Sequence, residues 1–311
     1  MSKVIVYGAG KTWHYFMRNI CAGGIDYICD RRFDREKPDF LGGKKTMTVA
    51  ELIEFPQPAA VYLCLADLNE CAEVKNLLAK NSNLEIHILQ LEAFRRLSGN
   101  DLRAKGAGEY TDLFHNKLIF DDTVPENLIV SFGGQGSTIR IGSGVVVNKL
   151  EIIVGTDAEV CIGDGSSFQD THIEAAFGDI RVGQNCTFSF GTWLRSHDGH
   201  HIYDLQTGER VNYSKNIELG DHIWCGQNAI ILKGARVGNE SVIGAASVVA
   251  GCFPEHVAIG GNPARILREG ICWGREATFA FNFESRLEYN DNAYPAIPTA
   301  EIMQNQRRQD R

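Results

Sequence analysis

No run in the 311-residue chain approaches eighteen consecutive apolar residues, so none is long enough to cross a bilayer as a helix. The opening residues, Met1-Ser2-Lys3, lead directly into a strand-like run and lack the zones of a signal peptide. The expectation is a cytoplasmic protein with no membrane insertion. An excess of positive charge is missing as well: the formal net charge of −8 argues against a nucleic-acid partner for the chain as a whole. Nine cysteines, at 21, 29, 64, 71, 161, 186, 225, 252 and 272, contain no close paired-ligand spacing. An odd count of this kind points to free thiols buried as small hydrophobes, and no metal site is expected. A complete dinucleotide fingerprint is also absent, because Gly8-Ala9-Gly10 is followed by Trp13 where the third glycine would stand.

What the chain does have is a short internal period. Between Ile217 and Arg265 an aliphatic residue followed by a glycine recurs at Leu219-Gly220, Val237-Gly238 and Ile243-Gly244, six or eighteen residues apart. The phase extends backwards through Val182-Gly183, Ile162-Gly163 and Ile141-Gly142, at spacings of 20 and 21. A six-residue period fits neither an amphipathic helix nor a half-buried strand. It fits a parallel β-helix with three short strands per coil, one aliphatic residue of each pointing inward and a small residue turning the corner.

From Val182 to Leu219 the gap is 37 residues, one coil plus nineteen more. The surplus is best placed over 197–215, HDGHHIYDLQTGERVNYSK, which is polar and breaks the phase. A long loop on a rigid repeat is a natural place for function. His197, His200, His201 and His222 crowd this region, and each could act as a general base on its residue type alone.

Four motifs then occur in order: Asp198-Gly199-His200-His201-Ile202-Tyr203-Asp204, Ile223-Trp224-Cys225-Gly226, Gly244-Ala245-Ala246-Ser247-Val248-Val249, and Gly260-Gly261-Asn262-Pro263-Ala264-Arg265. With them, residues 135–268 resemble the left-handed β-helix, hexapeptide-repeat acyltransferases, in the branch that acetylates sugars in capsule, lipopolysaccharide or glycan synthesis. Cys225 and Ala246 depart from the usual isoleucine and glycine. The resemblance implies acetyl-CoA as donor and co-substrate, a sugar or glycan acceptor, and a homotrimer with sites between neighbouring prisms. It makes His200 the general base, with Asp198 or a backbone carbonyl fixing its tautomer. On the donor side it implies that the Gly226 N–H meets the thioester oxygen, that Ala245 and Ala246 leave a groove for the pantetheine arm, and that Arg265 meets a CoA phosphate. Lys233 and Arg268 are weaker candidates for that phosphate. His197 and Trp224 are placed near the acceptor.

Over residues 1–95, runs at 3–8, 24–30, 61–67 and 85–91 read as strands separated by helical stretches at 11–23 and 69–80. This alternation indicates a Rossmann-like α/β domain. Some sugar N-acyltransferases of the hexapeptide class carry such a domain to hold a nucleotide-linked amino sugar; by resemblance, Gly8, Gly10 and Asp30 would serve that acceptor. Equally, the glycines make a tight turn and Asp30 ends a strand. Residues 96–135 read as a connector, 136–266 as the β-helix and 267–311 as a capping tail bearing Phe279, Phe281 and Phe283.

O-acetylation of a glycan is therefore the leading expectation, with N-acetylation of a nucleotide-linked amino sugar second. From other classes, a β-helix zinc carbonic anhydrase would need three converging histidines, for which His172, His197 and His222 are conceivable. A non-catalytic scaffold would use the loop only to bind a partner.

Overall fold

Apolar runs alternating with helical stretches build the first unit. The computed structural model describes residues 2–10, 24–89 and 96–275. Strands β1 (Lys3–Tyr7), β2 (Tyr27–Cys29), β3 (Phe40–Leu41), β4 (Lys44–Met47), β5 (Ala59–Leu63) and β6 (Leu84–Ile88) form a sheet in the order β3-β4-β2-β1-β5-β6. All pairings are parallel except the β3–β4 hairpin. The chain moves from β1 through β2 to β4, then returns to the other side of β1. The carboxyl ends of β1 and β5 thus flank the point where strand order reverses, and open α/β sheets leave a crevice there. The hairpin has no counterpart in the sequence expectation, although its Gly42-Gly43 turn, at φ 55° and 76°, suits a two-residue hairpin loop. Helix α1 (Val49–Ile53) begins with a capping box between Thr48 and Glu51. Helix α2 (Leu68–Leu78) starts under Asp67 and buries Cys71, Val74 and Leu78 on one face. The helix expected over 11–23 lies outside the described residues. Among those described, no helix is long and apolar enough to cross a membrane.

The second unit is a parallel β-helix of three faces, and the aliphatic–glycine phase marks one of its inward stacks. On face 1, Phe120, Ile141, Ile162, Val182, Leu219, Val237 and Phe253 lie in register on successive coils. Face 2 stacks Val147, Phe168, Phe188, Cys225, Ile243 and Ile259; Cys225 is fully buried there, filling the place of a larger aliphatic. Face 3 stacks Val130, Ile152, Ile173, Leu194, Ile231 and Val249. Burial of each such side chain contributes about 1.5–3 kcal/mol. The glycine after each face 1 aliphatic is sterically required: a Cβ on Gly183 would lie 2.4 Å from the Gly220 carbonyl oxygen.

The parallel ladder begins earlier than residue 136. Lys117–Phe120 already pairs in parallel with Thr138–Ile141, and Leu128–Phe132 with Leu150–Val154. Phe120 carries the inward phase but is followed by Asp121, so the aliphatic–glycine signature does not reveal it. In front of this coil, Gly108–Thr111 pairs antiparallel with Lys117–Phe120, and Phe114 from the intervening turn is buried among Val6, Ile25, Ile28, Phe33, Cys64 and Leu89 of the first unit.

At the other end, Arg265–Glu269 turns back antiparallel to Val257–Gly260, and residues 270–275 continue along one edge of the prism. Gly165, Asn185, His222, Glu240 and His256 at this edge all have positive φ. Four of their carbonyls accept from the returning segment. The Ile271 N–H donates to His256 at 3.0 Å, Trp273 Nε1 to His222 at 2.7 Å, and Arg275 Nη2 to Asn185 at 2.8 Å and Gly165 at 3.1 Å. Phe279, Phe281 and Phe283 lie outside the described residues.

Candidate active site

The loop that interrupts the coils leaves face 3 after Arg195 and rejoins face 1 at Ile217. Its base is closed by the Lys215 N–H donating to Ser196 O at 3.1 Å. Farther out, Tyr203 and Arg210 form an antiparallel bridge, and Asp204 accepts from the N–H groups of Gln206 and Thr207 to make the tip. The buried Asn212 side chain fills the middle. Its Nδ2 donates to Asp198 at 2.8 Å and to the His200 carbonyl at 2.7 Å, while its Oδ1 accepts from Ile202 N at 2.7 Å and Arg210 Nε at 3.3 Å. Lys233, from the corner of the next coil, donates to Asp198. The Lys233 bond is the largest influence holding the Asp198 carboxyl below its ordinary range.

Of the loop's three histidines, only His200 has a ring without a partner among the described residues, and it is exposed. The expected Asp198–His200 pairing is corrected: Asp198 is occupied by Lys233 and Asn212, and Asn212 engages His200 through its carbonyl, not its ring. His197 accepts the Gly199 N–H on Nδ1 at 3.0 Å, and its Nε2 lies 3.9 Å from Glu174. Burial lowers its pKa, against the pull of Glu174. Neutral His197 therefore carries its proton on Nε2 and has no free lone pair for a substrate proton. His201 is paired with the Tyr203 hydroxyl at 3.0 Å.

The three histidines conceivable for zinc do not converge. His172 bonds Glu174 at 2.9 Å on face 3, and His222 is buried on another edge with Nδ1 2.7 Å from Glu240. Among the described residues no group of three or more candidate ligands is set to hold a metal.

The donor residues line the edge between faces 2 and 3, where each coil turns through Gly226-Gln227-Asn228 or Gly244-Ala245-Ala246. The expected part for the Gly226 N–H is corrected, because that group donates to Ile243 O at 2.8 Å in the ladder. What Gly226 supplies is closeness: a Cβ there would lie 2.7 Å from the Ala245 nitrogen. The Ala245 N–H, on an exposed corner, makes no hydrogen bond among the described residues. Ala246 adopts φ 55°, and its N–H is held by Gln227 O at 2.8 Å. Arg265 is exposed, bonds the Ala264 carbonyl at 2.9 Å, and meets no carboxylate among the described residues. Trp224 is 43% exposed on face 2, its ring 6.0 Å from Trp273. Lys233 is committed to Asp198, which removes it from the donor side. Within one chain His200 and the donor edge lie on opposite borders of face 3, whose outward row carries Glu151, His172, Trp193, Ile230 and Val248.

Gly8, Gly10 and Asp30 come together in the first unit, at a cavity of about 430 Å³ also lined by Tyr7, Arg31, Arg32, Leu65 and Glu70. Asp30 is already filled, accepting from the N–H groups of Ala9 and Arg32 and twice from the Arg32 guanidinium. Burial pushes its pKa up, but these bonds outweigh it and bring the value to about 2. The Tyr7 hydroxyl is buried next to Arg31, whose positive charge acts on it.

The chain matches known proteins over about half of its length. The chain is 34% identical over 133 residues to a polysialic acid O-acetyltransferase of Escherichia coli O1:K1, a match covering 41% of this chain and 42% of that one. It is 41% identical over 145 residues to a polysialic acid O-acetyltransferase of Neisseria meningitidis, covering 46% of this chain and 67% of the relative. The crystal structure of the polySia-specific acetyltransferase NeuO aligns with a TM-score of 0.50 at 32% identity, over 52% of this chain and 76% of that one. No protein-family profile matches the chain.

Proposed function

Because this chain belongs to the hexapeptide-repeat sugar acetyltransferases, we propose that it moves an acetyl group from acetyl-CoA to a hydroxyl of a glycan. His200 is the base. The acceptor hydroxyl attacks the thioester carbonyl and gives its proton to the imidazole as the C–O bond forms. The C–S bond then breaks, and the proton passes from His200 to the departing CoA sulfur. The observation that carries this is the free, exposed ring of His200 on a loop whose other two histidines are both engaged. The Ala245 N–H, which makes no hydrogen bond among the described residues, serves as a donor for the developing oxyanion, and Arg265, which meets no carboxylate among them, as a cation for a CoA phosphate. Because His200 and the donor edge lie on opposite borders of face 3, a second copy is needed to bring a base to a donor edge, which supports a homotrimer with the base of one chain facing the donor edge of another. Release of free thiol from acetyl-CoA in the presence of polysialic acid or a galactoside tests the assignment. Wild-type turnover that disappears in His200→Ala is the expected result.

A second reading, acetylation of the amine of a nucleotide-linked amino sugar, is favoured by one observation: a cavity lined by Tyr7, Gly8, Gly10 and Arg31 lies at the strand-order reversal. Saturable binding of such a sugar to the full chain, weakened in Tyr7→Phe, would promote it.

A further inference from the structure

We infer that Asn212 is the positioning residue for the His200 base; this rests on the acetyl-transfer assignment above. A base on a nineteen-residue polar insertion must be held in place if it is to meet a hydroxyl in line with a thioester, since a misplacement of about 1 Å can cost about 100-fold in rate. The His200 ring has no bond of its own among the described residues, so its placement comes from its backbone. That backbone is gripped on both sides by a single side chain. Asn212 Nδ2 donates to the His200 carbonyl at 2.7 Å, and Asn212 Oδ1 accepts the Ile202 N–H at 2.7 Å.

The remaining two bonds of the amide anchor the grip. Nδ2 also donates to Asp198, which Lys233 ties to the neighbouring coil, and Oδ1 also accepts from Arg210 on Asn212's own arm of the loop, which is bridged to Tyr203. A side-chain amide offers two donors and two acceptor sites, and here all four are used in a residue only 7% exposed. The neighbouring Val211 N–H adds a backbone bond to Ile202 O at 2.9 Å, which keeps Asn212 opposite residues 200–202. No other residue type fits these four partners. Aspartate would set a carboxylate against Asp198 and the His200 carbonyl, and leucine would give the Asp198 carboxylate, the His200 carbonyl and the Ile202 N–H no bond in return.

The test is steady-state kinetics and loop exchange on the full chain carrying Asn212→Ala and Asn212→Asp, with acetyl-CoA and polysialic acid as probes. Expected is a fall in kcat on the order of 10–100-fold for both, with KM for acetyl-CoA changed by less than about twofold. The melting temperature should stay near that of the wild type. Hydrogen exchange at the Ile202 amide should be slow in the wild type and fast in both variants. A wild-type kcat in Asn212→Asp, or an Ile202 amide that exchanges equally fast in all three proteins, overturns the positioning role. Absence of any acetyl transfer by the wild type would overturn the acetyl-transfer assignment instead, and the exchange comparison would still judge whether Asn212 holds the loop.

Discussion

The Trp273 indole lies on the His222 imidazole, with ring centroids 4.2 Å apart and planes 13° apart, and its N–H donates to the His222 carbonyl at 2.7 Å. One residue thus fastens the returning C-terminal segment to the prism edge and covers the buried His222–Glu240 pair. Trp273→Ala should free residues 270–275, which limited trypsinolysis reads as rapid cleavage after Arg275. The coils themselves should stay resistant. A wild-type cleavage pattern would mean that the strand Arg265–Glu269 and the bonds of Ile271 and Arg275 hold the segment without the indole.

His200→Ala should leave the melting temperature unchanged, because the ring is exposed and makes no hydrogen bond among the described residues. Turnover of acetyl-CoA with a glycan acceptor should fall on the order of 10²–10⁴-fold. His197→Ala is the informative control: it removes the bond to Gly199 and should affect the loop more than the chemistry.

Arg265→Ala should raise KM for acetyl-CoA several-fold, while the same assay with the short donor acetyl-pantetheine, which lacks the nucleotide phosphates, should not distinguish variant from wild type. Equal affinity of both proteins for acetyl-CoA would remove Arg265 from the donor site.

Gly226→Ala should be costly although the residue lends no hydrogen bond to substrate. The added methyl would stand 2.7 Å from the Ala245 nitrogen, and overpacking of that kind costs about 1–3 kcal/mol. Denaturant unfolding would show the loss, accompanied by weaker donor binding if the Ala245 corner shifts.

Asp30 gives the first unit a pH dependence with a definite sign. Its folded pKa of about 2 lies below the unfolded value of about 3.9. The stabilisation is therefore complete above that unfolded value and is lost as pH falls toward 2. Asp30→Asn should remove on the order of 2 kcal/mol at neutral pH and flatten the acid limb of the unfolding profile. An unchanged acid limb would assign that limb to other carboxylates.

Much of this was legible in the chain itself, for a physical reason. Ile141, Ile162, Val182, Leu219 and Val237 repeat because each must fill the same volume one coil on, and the glycine after each must clear its neighbour's backbone. Phe120 fills the same column but precedes Asp121, so the first coil carried no such mark. The loop was visible as a break in phase, and His200 through its family motif. Asn212 was not visible, because a hub of four hydrogen bonds leaves no periodic trace in a polar segment. Gly226 was misjudged for a related reason: sequence shows that a side chain is missing, not which N–H the ladder has already taken.

Phe114 has a practical consequence for anyone dissecting the two units. Its ring sits in the interior of the α/β layer although its backbone belongs to the turn that starts the coils. Cutting the chain near residue 95 would leave a prism wearing a bare phenyl knob, and an α/β fragment with a hole where that knob had been. Each half would be expected to clump, so the two are better studied whole, with point changes in place of scissors.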